Sequence, residues 1–284
     1  MSKASPYFPW NAKVTLEPLE QMEDRAIVTI HPDTSFAEDV TEIPKPKGIE
    51  IVSNQYKLVS NEDARNLGED ILHRTGFNWE PESRIWDGNR FRQRFISKDL
   101  TMQVGGHDNL MFAADIVNSY NGTMSLGLQT LAWRQVCTNG MVARQFFDGF
   151  RIRHLKNGDM EEEILLQAEA IVNRASNWEK TLPVWDRMYE RELSADEILS
   201  TLHEAIHVAK MPKSLIGKVA AHPEVLDGGT SAWTMFNHFT RELTSDNSFP
   251  SEAANERICE YFINRYGTEQ EIERHEDGTP KHFG

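Results

Sequence analysis

Apolar and polar residues alternate along Arg90–Ile96. Arg90, Arg92 and Arg94 fall on one side of this run and Phe91, Gln93 and Phe95 on the other. A period of two predicts a β-strand. The run LMFAADIVNSY (110–120) predicts a second strand, with the glycine pair 105–106 turning the chain before it and Asn121–Gly122 after it. Residues 123–137 give a third. Three consecutive strands on short turns predict an antiparallel meander.

The period changes elsewhere. Ser60, with Asp63 three residues on, opens a helix that runs to about Arg74, before Gly76. Asp159 and Glu162 cap another, whose buried face carries Met160, Ile164, Ala168, Ile171 and Ala175. The EEE run at 161–163 suits the positive end of that helix dipole. Ser194 and Glu197 form a capping box for a third helix. SAWTMFNHFTREL (231–243) and SEAANERICEYFINRYG (251–267) read as two more, the last closed by Gly267 as its C-cap. Ile49–Val59 has strand character.

The fold class is therefore α+β: a central antiparallel β-meander packed against helices, with a helical C-terminal half. Six prolines (6, 9, 18, 32, 44 and 46) make 1–48 an irregular arm. Residues 49–267 form one domain, with the meander at about 84–141 and the helical part at about 159–267. Residues 268–284 form an acidic tail.

Composition narrows the setting. No apolar run approaches the roughly 20 residues that cross a bilayer, and the first residues lack the apolar stretch of a signal peptide. The two cysteines, Cys137 and Cys259, have no CxxC spacing and read as reduced thiols. The expectation is a cytoplasmic protein of a bacterial host cell, without membrane attachment.

Charge adds a location. The chain carries 30 Lys+Arg against 44 Asp+Glu, a formal net charge of −14. Residues 84–156 reverse that sign, with ten basic side chains and five acidic ones. A basic island on an acidic body is a candidate dock for a polyanion. The candidate nucleic-acid-binding residues are Arg90, Arg92, Arg94, Trp86, Lys98, Arg134, Arg151 and Arg153. Alternate positions of a strand lie about 6.5–7 Å apart, close to the spacing of phosphates along one strand. Trp86, Phe91 and Trp133 could stack on bases, although burial in a core is the commoner fate of such aromatics.

HEAIH at 203–207 carries a different chemistry. His203 and His207, one helical turn apart, can share a zinc ion with Glu204 as general base, which would make a metalloprotease. Lys210 and Lys213 stand where the extended motif has Gly and a third His. The apolar stripe Ile198, Leu202, Ala205, Ile206, Ala209 leaves the histidines on the outer side. No P-loop, GxGxxG or GxSxG occurs, so no nucleotide cofactor is expected and zinc is the one alternative.

The stretch NSYNGTMSLGLQTLAWRQVCTNGM (118–141) resembles an uncharacterised phage/plasmid-like protein family, a domain of unknown function. The family's turn corresponds to Asn118–Thr123, and its strand end to Arg134, Val136, Cys137 and Asn139. NQYKLVSNEDARNL (54–67) resembles its entry strand and helix, and SAWTMFNHFTREL its late Trp-x-x-Tyr-Asn-x-x-Thr helix, with Phe236 in place of Tyr. The resemblance covers about 45–265 and implies a phage or mobile-element origin. By a weaker analogy it implies the phage single-strand annealing proteins, which are oligomers that hold DNA beside a β-meander. It supplies no catalytic residues. The functional expectation is a non-catalytic single-stranded DNA-binding or annealing protein, acting in recombination or replication as a homo-oligomer. The alternatives are the zinc protease and a phage protein that binds a host protein.

Overall fold

The computed structural model describes residues 7–35, 44–134, 139–141, 149–152, 171, 173, 175–226, 230–244 and 252–268. Among them the chain builds two antiparallel sheets followed by a helical half.

The central sheet runs β4 (Trp79–Trp86), β5 (Arg90–Val104), β6 (Asp108–Ser119), β7 (Leu126–Arg134) and β8 (Asn139–Met141), with β9 (Gly149–Ile152) also on β7. β5, β6 and β7 are the expected meander. The sheet is larger than the sequence pattern suggested, because β4 precedes the meander and β8 and β9 extend its far edge. β5 reaches fifteen residues by absorbing a register shift between Ser97 and Thr101. Gly105, Gly106 and Gly122 take positive φ in the turns, where a Cβ would be strained.

The two faces of this sheet are buried differently. Val104, Leu110, Phe112 and Ala132 point into a large core shared with the helices. Phe95, Ala114, Ile116, Leu126 and Leu128 pack under α1 (Asn61–His73). On the opposite face, Met111, Ala113, Leu131 and Trp133 form a smaller buried cluster.

α1 is capped as its sequence predicts: the Ser60 hydroxyl accepts the Asp63 amide at 3.0 Å. Its Gly68 lets the helix approach the sheet, since a Cβ there would lie 1.8 Å from Ile116 Cδ1.

The helical half contains α2 (Leu182–Glu190), α3 (Ala195–His207), α4 (Lys213–Ala220), the single turn α5 (Pro223–Leu226), α6 (Ala232–Thr244) and α7 (Glu252–Phe262). The Ser194–Glu197 capping box is present. α7 passes into a π-helical turn at Ile263–Gly267. Gly267 has no positive φ, so it is not the expected left-handed cap. It is needed for closeness, because a Cβ would lie 2.6 Å from Val184 Cγ1. Most of the helix expected from Asp159 lies outside the described residues; Ile171 and Ala175, from its expected buried face, are buried.

The proline-rich start is not an irregular arm. β1 (Val14–Leu19) and β2 (Met22–Ile30) form a hairpin, and β3 (Lys47–Ser53) pairs with β2. Pro18 is tolerated because β1 is an edge strand and a bulge follows it. Residues 7–12 also lie on the central sheet. Trp10 stacks on Phe91 at 5.3 Å, and the Arg84 guanidinium covers its ring at 3.9 Å.

Candidate functional site

The end of β7, the start of β6 and one face of α6 meet around Asp108. One Asp108 oxygen accepts Arg134 Nε at 2.6 Å, and the other accepts the Trp233 indole N–H at 2.7 Å. Asp108 is nearly buried, so its charge needs both donors. The three residues tie the last residue of a strand to a helix a hundred positions later in the chain.

Beside this junction lies a cleft of about 280 Å³, lined by Arg134, Glu224 of α5, and Thr234, Asn237, His238 and Arg241 of α6. Positions i, i+3, i+4 and i+7 share one helix face, which is why four α6 side chains converge there. Trp233 begins the same turn, and its carbonyl accepts Asn237 Nδ2 at 2.8 Å.

One imidazole, His238, lines the cleft, and a second lies behind it. His238 stacks on His222 with ring centroids 4.0 Å apart and planes 22° from parallel. His238 Nε2 lies 2.8 Å from Glu224 Oε2, and His222 Nε2 lies 3.3 Å from Glu242 Oε1. Burial pushes the His238 pKa below that of a free imidazole, against the upward pull of Glu224; the neighbouring His222 adds to the lowering. Two guanidiniums thus face one carboxylate across a cleft whose His238 favours the neutral form. With Asp108 paired to Arg134, the formal charges of Arg134, Arg241, Glu224 and Asp108 balance there.

The arginine strand is built otherwise than its pattern suggested. The three arginines do share a face, but not as free cations. Arg94 is buried and gripped by Asp115 opposite it on β6, through two hydrogen bonds of 2.7 Å. Burial opposes ionisation of both partners, yet their mutual attraction holds Arg94 above and Asp115 below their ordinary pKa values. Arg90 is tied to Asp87 at 2.7 Å. Arg92 approaches Asp115 at 3.8 Å, and its side chain is 13% exposed. Desolvation lowers its pKa, Asp115 acting against this and Arg94 with it. Strand alternation placed the trio on one face, but the pairing partner, Asp115, sits on another strand and has no signature near the arginines.

The other candidates scatter. Trp86 is a packing residue, its indole N–H bonded to the Phe8 carbonyl at 3.0 Å and its ring edge-on to Tyr120. Lys98 is exposed and paired with Glu80 at 2.6 Å. Phe91, Phe95 and Trp133 are buried. Arg151 lies in β9 opposite Gly127, its side chain outside the described residues, as is all of Arg153. Of the candidates whose side chains are among the described residues, only Arg134 lines the cleft.

HEAIH lies on α3, and both imidazoles are exposed on one face with ring centroids 4.4 Å apart. Glu204 does not join them. It turns toward the C-terminal helix, where one oxygen accepts the Tyr261 hydroxyl at 2.9 Å and Arg265 Nη1 at 2.6 Å, while the other accepts the Ser200 hydroxyl of its own helix at 2.9 Å. A base held by three donors is poorly placed to activate water. Among the described residues no three His, Cys, Asp or Glu side chains are grouped to hold a metal ion.

Residues 48–261 match the family model of a domain of unknown function, DUF932. The chain belongs to the DUF932 family. No curated protein and no solved structure matches it. Within the DUF932 region, the residues that carried the resemblance separate into two groups. Asn118, Asn121 and Gly122 are structural: Asn118 Nδ2 holds Val59 O at 3.0 Å and Asn61 Oδ1 at 2.9 Å, and Asn121 Oδ1 accepts the Thr123 hydroxyl at 2.6 Å. Arg134 and Asn237, although distant in sequence, both line the cleft, and Trp233 is joined to Arg134 through Asp108 beside it. Phe236 is fully buried and stacks on Trp185, an apolar place that gives a tyrosine hydroxyl no evident use.

Asp108, His238 and Arg241 were not singled out from sequence. The α6 spacing 234, 237, 238, 241 was legible as a polar face. The partners Asp108 and Glu224 come from other elements and were not.

Proposed function

We propose that this DUF932 protein is a non-catalytic binder of single-stranded DNA, of phage or mobile-element origin, and that it receives the DNA backbone at the Arg134–Arg241 cleft. The supporting observation is that the cleft brings Arg134, from the basic island, and Arg241 to one polar hollow of about 280 Å³. That is near the lower end of ligand-pocket sizes, roughly 300–1,000 Å³. It suits a phosphate and sugar better than a dinucleotide. Guanidiniums are the side chains best matched to phosphate oxygens. A flexible single strand can lower one phosphate into a recess between helix and sheet, whereas a stiff duplex would have to deform first.

The test is fluorescence anisotropy with a labelled oligothymidine across a salt series. The wild type binds at low salt, and affinity falls as salt rises. Arg241→Gln, an exposed position, weakens binding several-fold and reduces the log–log salt slope by about 0.7, the loss of one phosphate contact. Absence of oligothymidine binding by the wild type at low salt overturns the reading.

A further inference from the structure

His203 and His207 are left over from both the core and the cleft. They sit on the outer face of α3, rings 4.4 Å apart, and among the described residues neither makes a hydrogen bond through its ring. Two imidazoles one turn apart on a helix are half of a tetrahedral zinc site. His207 lies in the last turn of α3, where the negative end of the helix dipole favours a cation.

The pair has apolar surroundings unusual for a surface helix. Leu199, one turn before His203, is 65% exposed, and Val208, next after His207, is 62% exposed. Few large apolar side chains among the described residues stand so far into solvent. A metal held between copies of this face would be rimmed by these side chains, which would exclude water.

Glu204 is unable to serve as a third ligand without giving up Tyr261, Arg265 and Ser200. No further His, Cys, Asp or Glu among the described residues completes a group of three. A two-fold axis would supply two further donors of the same kind. In an isologous pair each copy offers the same two nitrogens.

We propose that His203 and His207 form half of a zinc site, completed by the same two residues of a second copy, so that one zinc ion joins two chains through α3. The ion is structural: four nitrogen ligands leave no open position for substrate water. The proposal does not depend on DNA binding.

Protein without a histidine tag, stripped with EDTA and dialysed, is compared before and after zinc addition by light scattering coupled to size exclusion, with bound metal measured on the same fractions. The expected result is a doubling of particle mass with one zinc per two chains. Replacing zinc with cobalt should give the intense visible bands of a tetrahedral nitrogen site. His203→Ala and His207→Ala, both at exposed positions and so folding normally by circular dichroism, should each abolish the mass change. No zinc binding, one zinc per chain without a mass change, or a mass change that survives both substitutions overturns the proposal.

Discussion

The indole of Trp233 donates a 2.7 Å hydrogen bond to Asp108, across 125 positions of sequence. Trp233→Phe keeps most of the ring but leaves a nearly buried carboxylate oxygen without that donor. A hydrogen bond to a charged group contributes about 2 kcal/mol. Urea denaturation should show a loss of that order with the m-value unchanged. Oligothymidine binding should also weaken, because Arg134 is held by the same carboxylate.

Asp115→Asn tests the buried pair on the opposite sheet face. Arg94 would remain buried and charged without its counter-ion, a loss of about 3–5 kcal/mol. The wild type has a matching acid response. The pKa of Asp115 is lower in the fold than in the unfolded chain. Its contribution is therefore complete above the ordinary value of 3.8 and is lost as pH falls through the lower folded value. Stability measured from pH 5 downward should fall more steeply in the wild type than in Asp115→Asn.

His238 has a separate window. Its folded pKa is lowered from the ordinary 6.5, so the unfolded chain binds the proton more readily. Stability from this group is present above pH 6.5, declines as pH falls from there to the folded value, and is level below it. His238→Gln should flatten that part of the profile in thermal melts, leaving the more acidic part, set by carboxylates such as Asp115, in place.

The meander and its turns were legible because alternation and glycine turns are local signals. Capping was equally legible at Ser60 and Ser194, where both caps need only a neighbour three residues on. What the sequence hid is non-local. Nothing near Arg94 announces Asp115, and nothing near Arg134 announces Trp233. The hairpin in 1–48 was hidden for another reason: its prolines suggested broken structure, yet Pro18 sits on an unpaired edge and Pro9 and Pro32 flank the strands. The site was thus readable in part, through Arg134 and the α6 motif, while its carboxylates were not.

Gly68→Ala opposes two effects. Alanine favours a helix over glycine by about 1 kcal/mol. The added Cβ would meet Ile116 Cδ1 at 1.8 Å, and overpacking costs typically about 1–3 kcal/mol. The clash should win, giving net destabilisation in chemical melts. Adding Ile116→Ala should make the pair less damaging than the sum of the two single changes.

Lys210 holds φ at 57°, just beyond the end of α3. The Met211 amide closes the helix by bonding back to the Ala205 carbonyl at 2.9 Å. Glycine adopts this left-handed conformation without a Cβ clash. Lys210→Gly should raise stability by about 0.5–1 kcal/mol, read as a higher melting temperature.

The family match begins at residue 48, inside β3, whose partner β2 lies entirely before it. The boundary of the shared region is therefore not a boundary of folding. A fragment cut there would keep one strand of a three-stranded sheet, with its hydrogen-bonding edge bare, and would uncover the Phe91 ring on which Trp10 rests. Such a fragment would seek another chain to pair with. For this protein, the residues before the family region complete a sheet and cover a ring that belong to it.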